Sequence, residues 1–197
     1  MCDLNEVKGM VVFMYTLFID THYTKLHLAL FQDEVVIEEI VKEGEKLTEY
    51  FIFTIQELLE KKHITIDDLS GIIVVNGPGS FTGVRIGVVV AKMIGYCKKI
   101  PIKVISYLQA VALKYLDDVT VGIQDKNGTF VGSFNKEHEL MSDYFYLNHQ
   151  ELASFPENII IDEEINLDMV YEYLKDKKDV HPHFVKPIYV KKIEVDK

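Results

Sequence analysis

Apolar and polar positions along the first hundred residues change rhythm several times, and each change marks an element. Tyr15–Asp20 (YTLFID), Lys25–Gln32 (KLHLALFQ) and Glu34–Val41 (EVVIEEIV) are short apolar or alternating runs, with Gln32-Asp33 as a polar break. They predict three strands in an antiparallel meander. Between Lys46 and Lys62 the period lengthens, with Leu47, Phe51, Ile55 and Leu58 at helical spacing. Thr65 is placed to cap one short turn, and Gly71–Val75 (GIIVV) is a continuous apolar run of the kind a buried parallel strand carries. A glycine-rich turn, a helix over 84–97, a strand over 102–106 and a helix over 107–116 follow. The order βββαβαβα is one complete α/β layer.

The rhythm then restarts in weaker form. Residues 119–135 read as a hairpin with Asn127-Gly128 as a type I′ turn signal, and 141–148 as a third strand. Residues 157–162 predict a buried strand, 167–176 a helix, and Lys186–Ile193 (KPIYVKKI) a closing strand. Two halves that each open on a hairpin-bearing sheet predict an internal duplication with a shortened second copy, a first lobe over 14–117 and a second over 118–197. The acidic stretch from Glu157 to Asp179 reads as a solvated face.

Composition narrows the function classes. No apolar run reaches the roughly 18–20 residues of a membrane span, and Met10–Ile19 lacks the small-residue cleavage site of a signal peptide. A cytoplasmic protein without membrane contact is expected. Cys2 and Cys97 suit neither a disulfide framework nor a metal knuckle. A net charge of −10 argues against unaided binding of nucleic acid, because Lys and Arg on phosphates supply most of that affinity. The 21 basic residues comprise 20 lysines and one arginine, Arg85. That arginine lies in the glycine motif, where only a guanidinium offers a rigid planar fork.

The motif itself, Asn76-Gly77-Pro78-Gly79-Ser80-Phe81-Thr82-Gly83-Val84-Arg85-Ile86-Gly87, invites comparison with phosphate loops. It lacks the Lys-Ser/Thr end of GxxxxGK[ST], and its glycines give GxGxxxG rather than GxGxxG. What remains is a strand-to-helix turn in which Gly77 and Gly79 supply backbone freedom, Pro78 stiffens, and Ser80 or Thr82 caps the helix. An anion on the helix N-terminus stays open as a reading, with Asp20, Thr21 and Ser80 as the candidate contacts for a nucleotide or anion. Further along, Gly87, Ala91 and Gly95 form a stripe almost without side chains, which another helix or strand can approach closely. Tyr50 and Phe53 lie outside the apolar stripe of the preceding helix, among Lys46, Glu49, Glu57 and Glu60, and suggest a second buried surface. No HxxxH or HExxH pair occurs among the seven histidines, and Ser80 does not sit in a GxSxG elbow, so no catalytic or metal-binding set is read here.

FIDT with its hairpin, LTEYFIFTIQELL, DLSGIIVVNGPGSFTGVRIGVVVAKMIGY and IPIKVISYLQAVA together resemble the bacterial TsaB (YeaZ) family over roughly Tyr15–Ala112. GPGSFTGVRIG is close to diagnostic. Weaker echoes are VGIQDKNG, with Asp125-Lys126-Asn127 at the family's Asp-Ala-Arg, and PIYVKK, with Lys191 for arginine. The resemblance implies the duplicated actin/Hsp70/sugar-kinase (ribonuclease H-like) fold. It further implies a non-catalytic dimerisation subunit for the threonylcarbamoyl transferase TsaD in modifying adenosine 37 of tRNAs that read ANN codons, with the ATPase TsaE joining the assembly. On that resemblance tRNA is met only through the complex, no cofactor is bound by the chain alone, and ATP at the complex interface is an open expectation. The partner face would lie on the helices 47–61 and 84–97, with Tyr50, Phe53, Glu57, Arg85, Gly87, Ala91 and Gly95. The same helices could pair two copies of the chain. The alternatives within the superfamily are a nucleotide-binding hydrolase and a glycoprotease-like enzyme. The family's start just before its first strand makes residues 1–13 an extension or a misassigned start. The chain departs from the family at Leu47-Thr48-Glu49, where His-Ser-Glu is usual, and in its short second lobe.

Overall fold

The computed structural model describes residues 14–190 except Thr24, Glu45, Lys46, Asp162 and Glu163. The expectations for residues 1–13 and for Lys191–Ile193 lie outside the described residues. Strands β1 (Tyr15–Asp20), β2 (Lys25–Gln32) and β3 (Val35–Glu43) form the antiparallel meander, followed by α1 (Leu47–Glu60), β4 (Leu69–Val75), α2 (Phe81–Lys98), β5 (Ile102–Ile105) and α3 (Tyr107–Ala112). The sheet order is β3-β2-β1-β4-β5, with β4 and β5 parallel to β1. Alternation along the strands sorts the core. Leu17, Ile19, Leu28, Ile72 and Val74 point to one face, covered by Phe51, Ile55 and Leu58 of α1 and Val84, Val88 and Ile94 of α2. Phe18, Phe31, Ile73 and Val75 point to the other face.

The second lobe repeats the order. Its strands β6 (Val119–Asp125), β7 (Gly128–Phe134) and β8 (Phe145–Asn148), helix α4 (His149–Ser154) and strand β9 (Ile159–Ile161) give a sheet β8-β7-β6-β9 with β9 parallel to β6. That is the first lobe's β3-β2-β1-β4 again. Only residues 162–166 separate β9 from α5 (Leu167–Lys175), too few for a helix and a strand, so no counterparts of α2 and β5 stand between them. Helix α5 instead matches α3. Leu108 and Val111 of α3 and Val170 and Leu174 of α5 share the core with the inner faces of both sheets. Helix α3 packs on β6 and β7, and α5 packs on β3, with Tyr171 against Phe31 at 4.9 Å. Each lobe therefore receives a helix from the other. This is the duplicated actin-like architecture, with a reduced second lobe.

Several boundaries differ from the sequence reading. Helix α2 begins at Phe81, three residues early, because Ser80 is the cap that accepts from the Gly83 N–H. The third strand of the meander shifts to Val35–Glu43, α3 ends at Ala112, and the strand expected over 141–148 narrows to Phe145–Asn148. The hairpin turn is Asp125–Gly128 with Lys126-Asn127 at its centre, and neither Asn127 nor Gly128 has positive φ, so it is not type I′. The Asp125 carboxylate accepts from the Asn127 and Gly128 N–H groups and fixes the turn instead. Residues 186–190 form no strand. Pro187 has no N–H to donate, and the segment is pinned at two points, Ile188 N–H to Asn76 O and Asn76 Nδ2 to Lys186 O.

Candidate functional site

The glycine motif is an interlock. Gly77 has φ +106°, a conformation open to glycine. At Gly79 an added Cβ would lie 1.9 Å from the His22 carbonyl oxygen, and at Gly83 2.2 Å from that of Thr21. The loop after β1 is thus pressed into the turn before α2. The Ser80 N–H donates to the His22 carbonyl, and the Thr21 hydroxyl donates to the Gly83 carbonyl at 2.8 Å. Gly87 faces Thr21 Oγ1, and Gly95 faces Ile102 and Pro182.

These contacts bear on two expectations. Thr21 and Ser80 engage each other's segments, and a 270 Å³ cavity lined by Pro78, Gly79, Ser80, Phe81 and Asp125 lies beside the start of α2. Asp20 is held as well, because its Oδ1 accepts from the His22 backbone N–H and meets His22 Nδ1 at 2.7 Å. Likewise Gly87, Ala91 and Gly95 are buried within the chain. The bare stripe lets α2 sit closely on its own sheet, and these residues do not present to a partner.

What α1 and α2 do present is apolar. On α1, Phe53 is 70% exposed, and Tyr50 and Ile52 are also exposed. On α2, Phe81, Val89, Met93 and Tyr96 are exposed, Tyr96 at 71%. Residues 81, 85, 89, 93 and 96 recur at three- and four-residue spacing and so share one ridge. Both helices cover the same face of the same sheet. Sequence reasoning found Tyr50 and Phe53 but missed Ile52, Val89, Met93 and Tyr96. The signal was there in principle: α2 carries apolar residues nearly all round, which a helix lying on one sheet does not need. Glu57 is occupied within the chain, its carboxylate on Lys42 Nζ at 2.7 Å. The hydrogen bond from Lys42 holds its pKa below the ordinary carboxylate value.

Arg85 has an intramolecular role. Its guanidinium lies over the Phe81 ring at 3.6 Å and near the Tyr189 ring at 5.3 Å, and Nε donates to Tyr189 Oη at 2.7 Å. It thereby ties residues 181–190, which return from the second lobe, to the start of α2. Along this strap Pro182 lies against Gly95, Val185 is buried in the α1/α2 core, and Lys92 Nζ donates to the carbonyls of His183 and Val185.

Between the lobes lies a 360 Å³ cleft lined by Asp20, His22, Lys25, His27, Glu39, Tyr107 and Glu164 among others. His27 Nε2 meets Glu39 at 2.6 Å, and His22 stacks on Tyr107 at 3.8 Å. Its described lining holds no Ser, Thr or Cys as a nucleophile, and among the described residues no three His, Cys, Asp or Glu converge as a metal-binding group. A larger cavity of 620 Å³ opens at the far ends of the strands, where Lys103 donates to the carbonyls of Lys175 and Lys177. No helix among the described residues is long and apolar enough to cross a membrane.

Comparison with known proteins converges on one family. Residues 41–124, from β3 to β6, match the family model of TsaD, tRNA N6-adenosine threonylcarbamoyltransferase. The tRNA threonylcarbamoyladenosine biosynthesis protein TsaB of Bacillus subtilis is 30% identical over 169 residues, 83% of this chain and 67% of the relative. TsaB of Buchnera aphidicola is 32% identical over 96 residues, 49% of this chain and 46% of the relative. YeaZ from Pseudomonas aeruginosa shares the fold, with a TM-score of 0.74 at 15% identity over 90% of this chain and 100% of that chain. The chain belongs to the TsaB (YeaZ) family of tRNA threonylcarbamoyladenosine biosynthesis proteins.

Proposed function

We propose that this chain is a non-catalytic subunit that binds and activates TsaD for transfer of threonylcarbamoyl to adenosine 37 of tRNAs reading ANN codons. The observation that carries the reading is the apolar outer face shared by α1 and α2, with Tyr50, Ile52, Phe53, Val89, Met93 and Tyr96 exposed on one layer. Scattered apolar residues are ordinary on a surface, but a rigid, two-helix patch of this kind marks a site of association. Support for the occupant comes from the family-model match. It spans both helices, so a TsaD chain carries an equivalent pair, and two such faces can meet about a pseudo-two-fold axis. The glycine turn lacks the Lys and Ser/Thr of a phosphate loop, which supports an inert role. TsaE and ATP enter through the assembly, tRNA is met only in the complex, and the place of action is the cytoplasm.

The test is light scattering on this chain mixed with the TsaD of the same organism. A stoichiometric complex is expected, weakened by about 100-fold or more in Phe53→Asp, because a charge is then buried without a partner. Wild-type protein that forms no complex would overturn the reading.

A further inference from the structure

The apolar surface does not end at α2. Lys92, on the flank of the Arg85-Val89-Met93-Tyr96 ridge, bonds the backbone on both sides of Phe184, through the carbonyls of His183 and Val185. Pro182 is fitted over Gly95 and Val185 is buried, so the backbone of the strap is fixed along the helix. Its two large rings nevertheless face outward, Phe184 at 67% exposure and Tyr189 at 55%. Tyr189 is held against Phe81 at 5.8 Å and by the Arg85 Nε bond. Aromatic rings presented on an already ordered backbone are the usual anchors of binding, because little conformational freedom remains to be lost.

We propose that the strap is part of the partner surface: Phe184 and Tyr189 widen the α2 ridge, and a TsaD chain docked on α1 and α2 closes over both rings. This rests on the functional reading above. Packed helices lie about 8–10 Å apart, so a pair of partner helices laid across α1 and α2 reaches the segment that flanks α2. Continuity of the apolar surface from Phe81 onto Tyr189, their rings 5.8 Å apart, points to the same occupant.

Titration calorimetry with the TsaD of the same organism, on full-length wild type, Phe53→Asp, Phe184→Ala and Tyr189→Ala, tests this, with circular dichroism melts to confirm folding. Each strap variant is expected to bind at least tenfold more weakly while melting near wild type. If Phe53→Asp abolishes binding and both strap variants bind within threefold of wild type, the strap lies outside the interface and only the functional reading stands. If wild type does not bind, both fall. If instead the chain dimerises with itself and Phe184→Ala breaks that dimer without touching TsaD binding, the occupant is a second copy and the proposal is overturned. Should one strap variant fail to fold, the other decides.

Discussion

A methyl group at Gly79 would sit 1.9 Å from the backbone oxygen of His22, and no side-chain rotation can relieve it. The whole β1–β2 loop would have to lift off the turn. Gly79→Ala is therefore expected to lose about 3 kcal/mol in urea unfolding, whereas alanine at Gly44, where nothing lies within 4 Å, is opposed only by its φ of +145°. Arg85→Lys keeps the charge but loses the planar stack and the Nε bond to Tyr189. Its expected cost is small, about 0.5–1 kcal/mol, but amide exchange at Ile188, whose N–H donates to Asn76, should quicken. Both residues were visible in the sequence as exceptions. Their partners were not, because His22 and Tyr189 lie 57 and 104 positions away, and nothing local encodes a contact at that separation. The bond from the Thr21 hydroxyl to the Gly83 carbonyl, 62 positions away, was hidden for the same reason.

Elements were legible where periodicity is long. The strands β1 to β5 and helices α1 and α2 stand close to where their patterns predict, because apolar runs or a clear period mark each of them. The short α4 left no period to detect, although Asn148 and Glu151 spell a reciprocal cap that could have revealed it. The face of α2 was misassigned because small residues mark a close approach without saying to what. Helix α1 is tied to β3 by charges: Glu38 accepts from Lys61 and Lys62, and Glu57 from Lys42. Those hydrogen bonds hold both carboxyls below their ordinary value of 4.5. A carboxyl with a lowered folded-state pKa contributes its stability above the unfolded value and loses it as pH falls through the folded one. Unfolding free energy is thus expected to decline below about pH 4.5, and Glu38→Gln should flatten that slope slightly in denaturant series at pH 3–6. Glu57 is exposed and Glu38 partly so, and added salt should shrink the effect.

The molecule as a whole is held by exchange. Because α3 packs on the second sheet and α5 on the first, the core between the sheets belongs to neither lobe alone. The two lobes should unfold in one transition, with calorimetric and van't Hoff enthalpies equal; two separated heat peaks would refute this. Val185→Ala, which empties a site in the first lobe's core from the far end of the chain, is expected to cost about 2 kcal/mol. The duplication was legible as two hairpins, but the swap of helices was not, since with no α2 and β5 counterparts between β9 and α5 the last helix has no sequence cue to its host. The swap also bears on how the chain is made. A ribosome delivers Phe18, Phe31, Ile73 and Val75 well before α5, so the inner face of the first sheet waits, wet and sticky, through the synthesis of about ninety more residues. A nascent chain of this design is a natural client for chaperones until α5 has emerged.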